Sequence, residues 1–178
     1  MKQYCYYQSP LGKLLLIGNE GILEALHFPN APEQEQIGAD WLCDETVFTE
    51  VLRQLAEYFA GNRQVFDLKI VPQGTQFQKR VWQELQNIPF GRTASYSEIA
   101  ERVGNAKACR AVGMANNKNP IPIIVPCHRV IGKNGSLIGF GGGLDLKRQL
   151  LNLENGSSSL FPSAFRQDSR GKELADWQ

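Results

Sequence analysis

The sequence predicts a mixed α/β protein of the α+β kind: an N-terminal antiparallel-sheet domain with one helix, then a mostly helical C-terminal domain containing a helix-turn-helix. Three observations predict it. The first 28 residues hold three short apolar segments separated by turn signals. From Thr75 onward, apolar residues recur at helical spacing behind two capping boxes, Thr75-x-x-Gln78 and Ser95-x-x-Glu98. Charge changes at the same place: residues 1–74 carry 5 Lys/Arg against 10 Asp/Glu, and residues 75–154 carry 11 against 5. The expected layout is a sheet-plus-helix domain over 1–74, a second domain over 75–154 and a flexible Ser- and Gly-rich tail over 155–178.

Lys2–Gln8, Lys13–Ile17 and Ile22–Phe28 alternate as antiparallel strands, with Gly12 and Asn19-Glu20-Gly21 as turns. Pro29–Asp44 is polar and reads as loop. Val47, Val51, Leu55 and Phe59 repeat at i+4 and predict a helix over Thr46–Ala60, ended by Gly61. Phe66–Val71 suits a further strand, and Pro72-Gln73-Gly74 a linker. Phe77, Val81, Leu85 and Ile88 line one face of the next helix, which stops before Pro89. A short helix follows Ser95 and ends near Gly104. A third, over Ala106–Asn116, completes a helix-turn-helix candidate. The last helix, Leu144–Leu153, packs through Leu146, Leu150 and Leu153.

No apolar stretch is long enough to span a bilayer, so no membrane role is expected. The N-terminus lacks a signal-peptide core. Cysteines 5, 43, 109 and 127 show no CxxC or other metal-type spacing, so they read as free thiols of a cytoplasmic protein rather than metal ligands. A basic half joined to an acidic half suggests a polyanion partner, although ordinary solvated charge fits the counts equally well.

Ile121-Pro122-Ile123-Ile124-Val125-Pro126-Cys127-His128-Arg129-Val130 holds the chemistry. Two prolines stiffen the approach to Cys127 and exclude a helix. A thiol beside imidazole and guanidinium groups is a nucleophile candidate. An inert cysteine closing a core strand is the plainer alternative. In an extended chain the Cys127 and His128 side chains would point to opposite faces, so a bridging water is the expected link.

Pro126-Cys127-His128-Arg129-Val130 closely resembles the acceptor-cysteine signature of the O6-alkylguanine-DNA alkyltransferases. The resemblance runs from about Thr75 to Glu154, through Phe77–Trp82, Ile88–Thr93, Ser95–Ala100, Arg110-Ala111-Val112-Gly113, Asn119-Pro120, Gly142-Gly143-Leu144 and Lys147–Glu154. It implies irreversible single-turnover transfer of an alkyl group from O6-alkylguanine, and from O4-alkylthymine, in double-stranded DNA to Cys127. It also implies base flipping, minor-groove binding, a monomer and no cofactor.

The resemblance further implies a relay from Cys127 through water to His128 and Glu154, with Asn119 bracing the turn and Tyr96 pushing on the target phosphate. Arg110 would enter the vacated stack. Ala111 and Gly113 share its helix, Lys107 and Lys118 flank it, and with Arg129 they complete the DNA contacts. Pro122, Val130, Ile138, Phe140 and Gly141 would form the substrate pocket, with Cys127 and Val130 carbonyls meeting the guanine amine. Phe140 departs from the usual tyrosine and removes a hydroxyl donor. Asn19 stands where some members carry a zinc-binding cysteine, so no structural zinc is expected. Competing readings are a non-catalytic lesion-binding protein, against which Cys127 argues, and a Cys-His hydrolase.

Overall fold

The computed structural model describes residues 1–29 and 37–156. The flexible tail expected over 155–178 falls, apart from its first two residues, outside that range. Strands β1 (Gln3–Ser9), β2 (Gly12–Asn19) and β3 (Ile22–His27) form an antiparallel meander. Both faces of β2 are buried. Leu14 and Leu16 face the main core, while Leu15 and Ile17 pack with Ala25, Tyr4 and Trp41 on the other side. The unbroken Leu14-Leu15-Leu16-Ile17 run follows from that double burial. At Gly18 a Cβ would stand 2.1 Å from the Ile22 carbonyl oxygen, so the β2–β3 bulge requires glycine there.

Two expectations need correction. The stretch expected as loop includes β4 (Leu42–Cys43), which pairs parallel to the β1 edge and gives the order β3-β2-β1-β4. The expected strand at Phe66–Val71 is a single parallel bridge between Ile70 and Leu23. Leu23 donates to Lys69 O at 3.0 Å, and Val71 donates to Leu23 O at 3.1 Å. Earlier in that stretch the Gln54 side chain serves both the N–H and C=O of Asp67, at 2.9 and 2.8 Å. A side-chain amide thus takes the place of a strand partner.

A 3₁₀ turn at Thr46–Phe48 leads into α1 (Thr49–Phe59), which buries Val51, Leu55, Tyr58 and Phe59 against the sheet. Both capping boxes form, opening α2 (Gln76–Gln86) and α3 (Tyr96–Arg102). A two-residue strand β5 (Ala94–Ser95), not foreseen, precedes α3 and pairs parallel with β6 (Val130–Ile131). Helix α4 spans Cys109–Asn117 and starts three residues later than its composition suggests. Asn105 holds the preceding turn, accepting from Lys107 N through its side chain at 3.2 Å and from Ala108 N through its carbonyl at 2.9 Å. Helices α2, α3 and α4 pack together, and Trp82 Nε1 donates to Ala115 O at 2.8 Å. Helix α5 (Leu144–Glu154) closes the described chain.

One apolar cluster runs from the sheet through α1 into α2, α4 and the Ile121–Val125 run. Leu26 N donates to Pro120 O at 2.8 Å, bringing the end of β3 against the segment that precedes the cysteine.

Candidate active site

Every residue from Ile121 to Val130 is buried. Asn119 organises this segment. Its Nδ2 donates to Val125 O at 2.7 Å, and its Oδ1 accepts from Ile121 N at 3.0 Å. One side chain therefore satisfies both ends of a turn that prolines 120, 122 and 126 cannot close with their own N–H groups. Ile123 sits at φ +75°, a region that a β-branched residue enters at a cost of roughly 1–3 kcal/mol. Strain of that size persists only where the surroundings over-determine it, and here the isoleucine is fully buried and bracketed by prolines.

The cysteine is not in a strand. Cys127–Arg129 forms a 3₁₀ turn, with Cys127 N donating to Val125 O at 2.8 Å. The extended geometry expected around Cys127 is corrected accordingly, and successive side chains diverge by about 120°. Asn116, buried on α4, donates through Nδ2 to Cys127 O at 3.2 Å. The thiol is 4% exposed, at a cavity of about 630 Å³. Pro122, Phe140 and Gly139–Gly142 line that cavity on one side, and Leu26, His27 and Phe28 reach it from the N-terminal half. Phe28 and Phe140 pack at 5.9 Å between ring centroids.

Burial pushes the Cys127 thiol up to about 11, against opposing help from Asn119, the Lys147 charge and backbone N–H groups. At neutral pH about one molecule in 10⁴ carries a thiolate, so the resting sulfur is a thiol that needs a base.

A candidate base stands next in sequence. His128 is fully buried, and its Nε2 lies 2.7 Å from Glu154 Oε1. Burial pushes the Glu154 carboxyl up, but donors from His128 and Arg129 outweigh it and hold the group at about 2. An ionised carboxylate only accepts, so Nε2 carries the hydrogen and Nδ1 presents a lone pair. Nδ1 is buried and has no hydrogen-bond partner among the described residues. Burial lowers the His128 pKa against the opposing pull of Glu154, so the ring is neutral at pH 7.

Glu154 is the last residue of α5, where the helix dipole disfavours negative charge. Five donors offset this. Tyr58 Oη at 2.8 Å, His128 Nε2 and Arg129 Nη2 at 3.0 Å reach Oε1; Arg129 Nε at 2.9 Å and Gly91 N at 3.1 Å reach Oε2.

Family models match most of the chain, up to residue 156. Residues 2–72 match the 6-O-methylguanine DNA methyltransferase ribonuclease-like domain, and residues 76–156 match the DNA binding domain of the same enzymes. The chain belongs to this family. A methylated-DNA–protein-cysteine methyltransferase of Methanosarcina acetivorans is 51% identical over 151 residues, covering 85% of this chain and 97% of the relative. One from Mycobacterium leprae is also 51% identical, over 82% of this chain and 88% of the relative. The crystal structure of Mycobacterium tuberculosis OGT in complex with DNA superposes with a TM-score of 0.81 at 45% identity, covering 86% of this chain and 93% of the other.

Within the methyltransferase fold, the residues singled out by sequence divide into four groups. Cys127, His128, Glu154 and Asn119 come together as described. Arg110, Ala111, Lys107 and Lys118 lie exposed on α4 or its flanks, and Gly113 on α4 faces the Tyr96 ring, where a Cβ would make an ordinary contact at 3.8 Å. Others sit differently from expectation. Arg129 was expected on DNA, but it is buried, paired to Glu154, donates to Ile88 O through Nη1 at 2.6 Å and lies over the Phe90 ring. The 3₁₀ turn, which an extended reading does not provide, rotates it inward.

Tyr96 hydroxyl donates to Ile138 O at 2.8 Å in this geometry. Pro122, Phe140 and Gly141 line the cavity. Val130 and Ile138 do not: Val130 is a core side chain, and Ile138 points outward at 48% exposed. Their carbonyls instead accept from Lys147 Nζ at 2.6 and 3.0 Å. The sequence reading missed Lys147, Asn116 and Tyr58. Lys147 is fully buried, and burial lowers its ammonium to about 8. A signal existed, since Lys147 lies three residues before Leu150, on the helix face assigned to the core.

Proposed function

We propose that this protein repairs DNA by direct reversal, accepting on Cys127 the alkyl group carried by guanine O6. The carrying observation is a nearly buried cysteine at a cavity of base-accommodating size, with a neutral, carboxylate-backed histidine next to it. DNA is the partner that the family membership and the basic C-terminal half support. A thiol this deep cannot reach a base stacked in a duplex, so the alkylated guanine must leave the stack and enter the cavity.

Arg110 would fill the space the base leaves; its exposure on α4 and its planar cation, suited to stacking and edge contacts, support that role. Minor-groove approach suits a protein that must inspect any sequence, because that groove carries little base information.

In the reaction the thiol proton passes to His128 Nδ1, through one water. The sulfur lone pair attacks the alkyl carbon, the C–O bond breaks and the S–C bond forms. Guanine leaves with the electron pair on O6 and recovers a proton, and Glu154 stabilises the imidazolium in between. The product is a thioether, a poor leaving group, and among the described residues no second cysteine lines the cavity to resolve it. Each monomer therefore acts once. The test is titration of O6-methylguanine duplex DNA with protein. Lesion removal should stop at one equivalent per protein; turnover beyond that, or none at all, rejects the reading.

A further inference from the structure

We propose that Tyr58, on α1 of the N-terminal half, is a positioning residue for alkyl transfer: its hydroxyl holds the Glu154 carboxylate in the orientation that His128 needs. The inference rests on the alkyl-transfer reading and adds a control that the C-terminal half does not contain.

The geometry is specific. Tyr58 is fully buried, 96 residues away in sequence from Glu154, and its hydroxyl donates to Oε1 at 2.8 Å. Oε1 is also the oxygen that receives His128 Nε2. The phenol cannot easily turn away. Its ring packs against Phe59, Phe66 and Phe90 at centroid distances of 5.3, 5.4 and 6.1 Å, the last from the C-terminal half. Burial raises its pKa well above the ordinary value, with the Glu154 charge acting in the same direction, so it stays a donor at every working pH.

The consequence is electrostatic as well as geometric. Each hydrogen bond to a carboxylate spreads its charge and lowers its basicity. With Tyr58 in place, Oε1 shares its charge among three donors and holds the imidazolium less tightly than a freer carboxylate would. Removing the hydroxyl should therefore raise the His128 pKa and leave less neutral imidazole near pH 7. The charged groups that bear on this ring are Glu154 and Arg129 beside it and Lys147 from α5, and none of them is changed by the substitution. Cys127, the other ionisable neighbour, stays protonated across the range used.

The experiment compares full-length wild type with Tyr58→Phe. Single-turnover transfer from O6-methylguanine duplex DNA is followed from pH 5 to 8, alongside His128 titration by NMR and thermal unfolding. The acid limb and the His128 pKa should both rise by roughly half a pH unit or more, with DNA affinity unchanged. Site-specific 3-fluorotyrosine at position 58, a more acidic phenol and stronger donor, should move the limb the opposite way, and it retains the native shape should Tyr58→Phe fail to fold. Leu15→Ala, in the separate cluster on the other face of the sheet, leaves Tyr58 and its aromatic neighbours intact; it should lower stability and leave the limb in place. An acid limb unmoved by both Tyr58 changes overturns the proposal. Absence of transfer in the wild type instead defeats the alkyl-transfer reading on which it rests.

Discussion

Glu154→Gln probes the account where stability and chemistry meet. Five donors converge on two carboxylate oxygens, and an amide nitrogen can accept none of them. The less damaging placement puts the amide nitrogen at the Oε2 position, which leaves Oε1 to accept from His128, Tyr58 and Arg129 Nη2. Arg129 Nε and Gly91 N then face a donor, and a guanidinium with 6% of its side chain exposed loses its counter-charge. Breaking a buried pair by neutralising one partner costs about 3–5 kcal/mol.

The pH dependence offers an independent figure. Glu154 sits at about 2 in the folded protein against an ordinary 4.5, which corresponds to roughly 3 kcal/mol. A depressed carboxylate contributes fully above its unfolded value, and the contribution is lost as pH falls through the folded one. The stability gap between wild type and Glu154→Gln should thus be wide at pH 7 and close between pH 4.5 and about 2. Denaturant unfolding across that range measures it.

The same substitution should weaken the proposed relay, because an amide cannot stabilise an imidazolium as a carboxylate does. Transfer should slow by about 10²–10⁴-fold, with DNA affinity little changed since Glu154 lies behind the cavity. Single-turnover rates on the folded variant decide the point. A folded Glu154→Gln that transfers at the wild-type rate from pH 6 to 9 would show that Cys127 is activated by another group.

Cys127→Ala should abolish transfer and retain binding to alkylated duplex, measured by gel shift beside a transfer assay; residual transfer would assign the chemistry elsewhere. Arg110→Ala should slow repair of duplex DNA far more than reaction with free O6-benzylguanine, because only the duplex has a stack to refill; equal losses would make Arg110 structural. DNA affinity should fall linearly in log K against log salt, as counterion release requires, and show little sequence preference. A salt-insensitive affinity contradicts the polyanion-partner reading of the basic residues 75–154.

Much of this was legible in the chain because local signals agree with the fold. Two capping boxes, the β2 apolar run and the i+4 stripe of α1 each produced the element they encode. Element edges that depend on distant partners were not legible. β4 exists only because the β1 edge is there to pair with it, and Phe66–Val71 gave up its strand to the Gln54 amide. At the site, Cys127, His128, Asn119 and Glu154 could be named from a motif. Arg129 could not be placed, since a single 3₁₀ turn sends it inward to the same carboxylate. Tyr58 could not be found because no local pattern links it to a residue 96 positions on. Lys147 was the one omission with a local warning, a charge on a helix face that should be apolar.

The most direct test of the central claim is the intact mass of the protein after reaction with excess O6-methylguanine duplex, followed by peptide mapping. The account predicts a gain of one methyl group per molecule, carried wholly on Cys127. A methyl on Cys5, Cys43 or Cys109, or an unchanged mass after the lesion has disappeared, would contradict it.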